Sequence, residues 1–448
     1  MRWLFLALLT TNTLTYANQF EDDLGGFEKE SIAIIEIEQI KEESNQLKGS
    51  LKLSSSYNYA HNAPSIGQTD FRGLSRLKTT LDLSIDSKIN DKWKSRIEVQ
   101  TFYDAIYSLR DNTYTDDMID TYKSEFEIQE AYILGSIADN IDIKIGRQIV
   151  VWGKSDNIRL NDVINPLDNR ELGMVDIEDL RLPVFMSKLD YYSGAWNLSA
   201  MIIHEARVQK EAANGSDYLP TQIFLKPNSI FPEDTTPDST FKNTQYALSL
   251  NGRFTGWDLS LYGAKVLDSK WHFENNRKSR TYGLIKMLGV ASNIAVGNFL
   301  FTSELVYMQD SKFNTTTDEK ERLDFLLGAE YSGITDFTAS LELAQRHIFD
   351  YETSMVNAPD SVYQDERQTA LRISYSFNHE KGMFTYLNTL FYDNSNINGG
   401  FQRVWLNYDL NDNIELNVGL VDYIGGDKIA LDALSNNDRF FADISYHF

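Results

Sequence analysis

Histidines and paired charges are the residues of this chain whose types could support chemistry. The six histidines have no second ligand at the spacing of a metal site: His61, His204, His272, His347, His379 and His447. A nucleophilic hydrolase needs a serine, a histidine and an orienting polar group on one face, and the sequence assembles no such set, although separate strands could. No glycine-rich phosphate loop leads from a strand into a helix. We therefore predict neither catalysis nor a bound cofactor or metal ion.

The charge balance narrows the range of partners. The 448 residues include 65 acidic and 42 basic side chains, which gives a formal charge of −23. No basic surface stands out that could neutralise a phosphate backbone, so we exclude nucleic acid as a partner. The chain has no cysteine, which excludes disulfides and thiolate metal sites and fits a protein that crosses an oxidising compartment.

The first 48 residues differ from the rest of the chain. Residues 1–17 contain one arginine, a short apolar core and a small final residue, Ala17, which is the pattern of a cleaved secretory signal peptide. Residues 18–48 are acidic, and their apolar positions favour a short helix over a strand. A solvated periplasmic tail, a plug and a short association helix remain open as interpretations of this N-terminal segment.

From Gly49 to Phe448 the chain is dominated by runs of about ten residues in which apolar and polar residues alternate. In one run Leu81 and Leu83 alternate with Asp82, and this period of two is typical of a strand with one apolar face. No later segment holds 18 consecutive apolar residues, as a transmembrane helix would require, whereas about ten residues cross a bilayer as a tilted strand. We count about eighteen candidate strands; sixteen is the alternative, because two of the runs alternate poorly.

The connections between these runs alternate in length. Turns as short as Asn90-Asp91 are followed by polar loops as long as Ala206–Asn243. Aromatic residues recur directly after the short turns: Trp93, Trp196, Trp257, Phe299, Phe337 and Phe384. Short turns at one end, long loops at the other and an aromatic girdle are typical of outer-membrane barrels. The predicted fold class is all-β, a transmembrane antiparallel β-barrel over residues 49–448, in the outer membrane of a Gram-negative bacterium.

The chain ends in a strand with an aromatic last residue. In Arg439–Phe448 the apolar residues fall on one face and the polar residues on the other, with Phe441 the only exception. Such a strand would be an exposed edge in a soluble sheet, but it closes a barrel when it pairs with the first strand. Phe448 resembles the recognition signal of the outer-membrane barrel assembly machinery, so we expect this machinery to be a partner.

One segment departs from the repetitive pattern. After a strand that begins at Ile141, the chain reads GRQIVVWGKSDNIRLNDVINPLDNRELGMVDIEDLRLP. The combination Gly146-Arg147-Gln148, Trp152-Gly153, Asp156 and Asn165-Pro166-Leu167-Asp168 resembles a family of porin-like outer-membrane barrels. That family is classed as a domain of unknown function and often occurs beside transporters of the resistance–nodulation–division type. The resemblance implies a role as a channel or in export, without naming a substrate.

The same segment supplies most of the candidate site residues. A polar loop of about thirty residues can fold into the lumen of a barrel and narrow it; a solvated external loop is the alternative. The residues that we expect to line the lumen or its constriction are Arg147, Gln148, Trp152, Lys154, Asp156, Arg159, Asp168, Arg170, Lys78, Arg96, Glu98 and Lys144.

Arg147 requires a separate explanation. Strict alternation from Ile141 places Arg147 on the lipid face, where an arginine at mid-bilayer costs about 2–4 kcal/mol. We therefore predict a β-bulge at Gly146 that turns Arg147 into the lumen. The alternative is that Arg147 already lies near the outer interface and extends its charge into water.

These patterns favour a channel that passes a solute across the outer membrane, with selection by the charges of the lumen. A first alternative, implied by the resemblance, is an outer-membrane partner of an inner-membrane resistance–nodulation–division exporter that moves a lipid or other hydrophobic molecule. It predicts a narrow, partly apolar lumen, plugged by residues 18–48 or by Gly153–Leu182. A second alternative is an outer-membrane hydrolase.

The basic cluster near Trp271 and Arg277–Arg280 is either a solvated loop or a site for lipopolysaccharide phosphates, which makes outer-membrane lipid an expected partner.

Overall fold

Eighteen long strands form one closed antiparallel sheet in the computed structural model, which describes residues 45–448 except 66, 111, 221–232, 275–278 and 394–395. In chain order β1–β18 are Asn45–Asn58, Gly73–Asn90, Trp93–Asp104, Ser124–Ala138, Ile141–Gln148, Val184–Ser193, Trp196–Ile203, Gln245–Phe254, Trp257–Glu274, Ser279–Val296, Phe299–Ser311, Lys320–Ile334, Phe337–Ile348, Asp365–Phe377, Gly382–Asp393, Asn396–Asn411, Ile414–Ile424 and Arg439–His447. The predicted fold class and strand number are confirmed. The signal peptide and most of the segment 18–48 lie outside the described residues, and β1 begins at Asn45 rather than at Gly49.

The first and last strands close the barrel. Residues 50–58 of β1 pair with residues 439–447 of β18 in antiparallel register. Phe448 extends this ladder, because its amide donates a hydrogen bond to the Gly49 carbonyl at 2.9 Å and its carbonyl accepts one from the Gly49 amide at 2.8 Å. The alternation along β18 is as predicted, and the exceptional Phe441 is buried on the inner face. The terminal strand is therefore the closing strand of the barrel.

The long-loop end carries the remaining regular structure. The elements there are α1 Ile106–Leu109, α2 Asp116–Tyr122, α3 Ile429–Asp432, the 3-10 turns Ile177–Leu180, Phe241–Asn243 and Thr353–Val356, and the two-residue strand Glu233–Asp234. Thr115 caps α2, because its side chain accepts a hydrogen bond from the Met118 amide. No helix in the described ranges is long and apolar enough to cross a membrane.

The aromatic residues beside the short turns contact one another between neighbouring strands. Phe254 stacks on Trp257, with 4.3 Å between the ring centroids. A glycine makes room for the next ring of the row, since a Cβ at Gly252 would lie only 2.5 Å from the ring of Trp196. These rings form an aromatic row along the short-turn end, where a membrane barrel carries its interface girdle.

The inner face of the barrel wall divides into two halves. On β6–β14 many of the buried inward residues belong to one apolar cluster, as with Met186, Met287 and Leu326, although buried polar residues accompany them, and the adjacent outward residue Leu327 is apolar as well. On β1–β4 and β16–β18 the inward residues are largely polar or charged, as with Arg76. We call these the apolar half and the polar half. The two halves set different environments for whatever enters the lumen.

Candidate functional site

The chain between β5 and β6, residues 149–183, lies inside the barrel, and we call it the inward loop. Its apolar residues pack against the apolar half in one buried cluster: Val150, Trp152, Ile158, Leu160 and Ile164. Trp152 stacks on Tyr262 of β9 with 4.7 Å between ring centroids, and the Tyr262 hydroxyl accepts a hydrogen bond from the Gly153 amide at 3.2 Å. The inward loop thus fills the apolar half of the lumen instead of extending into solvent.

Two wall carboxylates hold the start of the inward loop. Glu304 of β11 accepts hydrogen bonds from the backbone amides of Lys154 and Ser155 at 2.5 and 3.0 Å. Glu342 of β13 accepts hydrogen bonds from the Ser155 hydroxyl at 2.6 Å and from the Asp156 amide at 3.1 Å. Both glutamates are buried, and hydrogen bonds to a buried charge are strong. We call Glu304 and Glu342 the latch carboxylates.

Ion pairs hold the far side of the inward loop against the polar half. Glu171 forms an ion pair with Arg76 of β2 and lies 3.7 Å from the ammonium of Lys78, and Asp176 pairs with Arg403 of β16 at 2.8 Å. Burial raises the pKa of Glu171, but the Arg76 and Lys78 cations outweigh burial and hold this pKa at about 2. The inward loop is therefore fixed to both walls of the barrel, and on this side Met174 also packs in a buried apolar cluster with Trp405 and Phe441.

The first part of the longest connection, residues 206–219, enters the barrel as well. The ammonium of Lys210 lies 2.7 Å from a carboxylate oxygen of Glu125 on β4. Asp217 pairs with Arg439 of β18 at 3.0 Å, and the ring of Tyr218 lies 4.5 Å from the same guanidinium. This segment therefore reaches the seam where β18 meets β1. Nothing in its sequence pattern predicted this insertion.

A cavity of about 630 Å³ lies between the inward loop and the polar half. Eight cationic side chains line it: Lys52, Arg76, Lys78, Arg170, Arg181, Lys210, Arg403 and Arg439. Eleven carboxylate side chains line it: Glu98, Asp104, Glu125, Asp168, Glu171, Asp176, Glu178, Asp179, Asp217, Glu415 and Asp443. We call it the polar cavity. Its wall carries both signs of charge, with carboxylates in excess.

The structure distributes the predicted site residues over several places. Four of them line the polar cavity: Lys78, Glu98, Asp168 and Arg170. Four others belong to the part of the inward loop that packs on the apolar half: Trp152, Lys154, Asp156 and Arg159, the last of which pairs with Asp162 at 2.9 Å. Gln148 is fully buried at the end of β5. Arg96 pairs with Glu98 at 2.6 Å, and the ammonium of Lys144 lies 3.7 Å from the centre of the Tyr132 ring.

Arg147 does not follow the predicted bulge. Arg147 pairs with Phe185 of β6, and neither of the two ladders of β5 shifts register at Gly146. Arg147 therefore keeps the parity of the outward residues, and the prediction of a bulge is wrong. Gly146 instead has φ +134°, and a Cβ there would clash with the backbone of β4. At this strand end Arg147 pairs with Glu127 at 2.8 Å and with Glu205, and these two carboxylates satisfy its charge.

Sequence reasoning missed the latch carboxylates and the apolar half. One signal was available, since Met201-Ile202-Ile203 and Leu326-Leu327 place apolar residues on both faces of a strand. A strand whose two faces are both apolar must be covered on both sides, so the lumen beside these strands had to be filled.

Within the ranges that the structure describes, no group of His, Asp and Glu residues could hold a metal ion.

A closed barrel of eighteen antiparallel strands with loops folded into its lumen is a porin-like transmembrane β-barrel. The sequence matches the family described as "Protein of unknown function (DUF1302)" over residues 40–448, and the chain belongs to that family. No curated protein matches the sequence.

Solved structures of bacterial Occ and Opd proteins have a similar fold. OccAB3 of Acinetobacter baumannii is similar with a TM-score of 0.54 and 11% identity, over 90% of this chain and 99% of that chain. OpdK of Pseudomonas aeruginosa, solved with vanillate, has a TM-score of 0.51 and 13% identity, over 90% of this chain and 98% of that chain. OccK2 (OpdF) of Pseudomonas aeruginosa, in complex with glucuronate, has the same TM-score, identity and coverage. At these identities the likeness establishes the fold.

Proposed function

We propose that this protein is a constricted outer-membrane channel that passes small polar solutes along the polar half of its lumen. The observation that carries the proposal is the polar cavity of about 630 Å³, which lies beside an apolar half that the inward loop fills. A polar, charged passage replaces part of the hydration shell of a solute and selects by charge and size. The size of the solute, though not its charge, is supported by the fold shared with OpdK and OccK2, which were solved with the small molecules vanillate and glucuronate.

The charges of the polar cavity indicate which solutes would pass. Its wall carries eleven carboxylates and eight cationic groups, so the field inside favours cations over anions. Ion pairs such as Arg403 with Asp176 and Arg439 with Asp217 remove one charge of each sign, so they leave the excess of carboxylates unchanged. We therefore expect small cations and zwitterions to pass more readily than anions.

Planar-bilayer recording of the mature protein tests this proposal. We expect a stable ohmic conductance, with a reversal potential in a KCl gradient that indicates preference for potassium. The Lys52→Gln variant, which removes a cation from the wall of the polar cavity, should increase that preference. The matched Lys286→Gln variant removes a largely exposed lysine whose partner is Asp310, and it should change nothing. A barrel that is folded and silent, or anion-selective, would contradict the proposal.

We further propose that residues 1–17 direct export and that the barrel assembly machinery inserts the chain into the outer membrane by way of Phe448. The pairing of Phe448 with Gly49 at the barrel seam supports this role. Deletion of Phe448 should lower the amount of folded protein in the outer membrane of a Gram-negative host, measured by its heat-dependent migration on gels. Normal insertion would contradict it.

A second proposal is that the channel serves an inner-membrane exporter of the resistance–nodulation–division type. It is supported by the resemblance of the segment after Gly146 and by the latch carboxylates, which hold the inward loop across the lumen. A channel closed in this way would need a partner to move the loop. A purified barrel that is silent until Glu304 and Glu342 are replaced would favour this proposal over an open porin. The hydrolase alternative gains no support from the similar structures.

A further inference from the structure

A second cavity lies among the long loops, apart from the charged wall of the barrel. Its volume is about 390 Å³, which is within the range of small-molecule sites. Most of its lining is apolar, with Leu172, Leu219, Trp271, Phe313, Leu431 and Leu434 among the contributors. Phe313 belongs to a buried cluster with Ile348, Met355 and Val362, which gives this wall a packed support. We call it the apolar cavity.

Most of the charged side chains around the apolar cavity are engaged by neighbouring groups. Asp360 accepts hydrogen bonds from the Asn314 amide at 2.8 Å and from the Thr315 hydroxyl at 2.6 Å. Glu211 pairs with Arg280 at 3.1 Å. The ammonium of Lys312, one of the two lysines that line the cavity, lies 3.8 Å from a carboxylate oxygen of Glu319. These groups therefore already have partners within the protein.

Lys270 is the exception among the described lining residues. The pairing of β9 with β10 is interrupted between Leu267 and Trp271, so Lys270 lies in an irregular part of its strand, and such irregularities redirect side chains. Its ammonium forms no ion pair or hydrogen bond with the residues that the structure describes, and it lies 5.5 Å from the centre of the Phe313 ring. A cation is therefore presented at an apolar cavity with no carboxylate of the described residues within ion-pair distance of it.

We propose that the apolar cavity binds a medium-chain carboxylate, whose apolar body packs against Trp271 and Phe313 and whose carboxylate pairs with the ammonium of Lys270. Charge complementarity selects the anionic head, because an ion pair in an apolar, partly desolvated place is stronger than one in open water. The apolar lining selects the chain, because burying each methylene contributes about 0.8 kcal/mol of binding free energy, close to a fourfold change in affinity. The site goes beyond the proposed function, since binding to it requires no conduction.

Calorimetric titration of decanoate into the folded barrel in lipid nanodiscs, with empty nanodiscs as the blank, tests the proposal. We expect saturable binding of decanoate, weaker binding of hexanoate, and no binding of decyltrimethylammonium, which has the same chain and the opposite charge. The Lys270→Ala variant should bind decanoate about tenfold more weakly, and the Lys270→Arg variant should restore most of the affinity.

The matched control is Lys286→Ala, which removes a lysine of β10 that does not line the apolar cavity and whose partner is Asp310. This variant should bind decanoate as the parent protein does. The proposal is overturned if the folded parent barrel binds no decanoate above the blank, if Lys270→Ala binds it unchanged, or if the cationic amphiphile binds equally well. Bilayer recordings of Lys270→Ala distinguish a loss of decanoate binding from a failure of the proposed function, because conduction through the polar cavity should persist in this variant.

Discussion

The two halves of the barrel wall are built from the same kind of strand but have opposite inner faces. On β12 of the apolar half, Leu326 is fully buried toward the lumen while Leu327 is more than half exposed toward the outside. On β2 of the polar half, the inward Arg76 and Lys78 meet Glu171 of the inward loop. Because lipid requires an apolar outer face on every strand, only the inner positions are free to differ. The difference teaches that one half of the lumen serves as a protein core and the other retains a polar cavity.

Packing and ion pairing cooperate in this division. Apolar residues of the inward loop pack against the apolar half, while the latch carboxylates accept hydrogen bonds from the buried amides of Asn157 and Asn161, which would otherwise lack partners. The loop then presents Glu171 and Asp176 to the opposite wall. A loop held only by solvated charges would not be positioned this firmly, since exposed ion pairs contribute at most about 1 kcal/mol each.

A charge placed in the apolar half should have the largest effect. Met287→Lys buries an ammonium at a position that is 1% exposed and surrounded by apolar side chains. An unpaired buried charge should lower the free energy of unfolding by more than about 4 kcal/mol, as measured by urea unfolding of the detergent-solubilised barrel. The matched Asn407→Lys change lies in the wall of the polar cavity and should cost far less. Equal losses at both positions would remove the distinction between the halves.

Removal of a latch carboxylate should have the next largest effect. Glu342→Ala leaves the Ser155 hydroxyl and the buried Asn157 amide without this acceptor, and an unsatisfied buried donor costs about 1–3 kcal/mol. We expect lower stability and a larger, noisier single-channel conductance, because the inward loop can then leave its wall. Glu342→Gln keeps an acceptor oxygen and should have a smaller effect on both quantities. A recording identical to that of the parent protein would show that the latch does not position the loop.

The acid sensitivity of the polar half should be the smallest of these effects. The pKa of Glu171 is held at about 2 in the folded protein, below its ordinary value of 4.5. A carboxyl group with a lowered pKa stabilises the fold above its unfolded pKa, and this contribution is lost as pH falls from about 4.5 toward 2. The free energy of unfolding should therefore decline over this pH range, and the decline should be smaller in Glu171→Gln. The same pH dependence in both proteins would assign the acid sensitivity to other groups.

The sequence was sufficient to predict the fold but only part of the site. Strand period, turn lengths and the terminal Phe448 depend on the bilayer and on local chain geometry, so they are visible along the chain and were found. The contact between Glu342 and Ser155 joins residues that are 187 positions apart. The two segments meet only when the strands have paired into a closed barrel. The prediction that Arg147 faces the lumen was wrong for a local reason. Gly146 has a positive φ, but the register of β5 does not shift there.

Cysteine accessibility tests the central claim most directly, because the chain contains no native cysteine. Ser445 lines the polar cavity, whereas Val306 is fully buried in the apolar half beneath the inward loop. Single Ser445→Cys and Val306→Cys variants would be exposed to a charged methanethiosulfonate reagent during bilayer recording. The account predicts rapid modification and altered conductance for Ser445→Cys, and neither for Val306→Cys. Rapid modification of Val306→Cys, with no effect on Ser445→Cys, would contradict the assignment of the polar half as the passage.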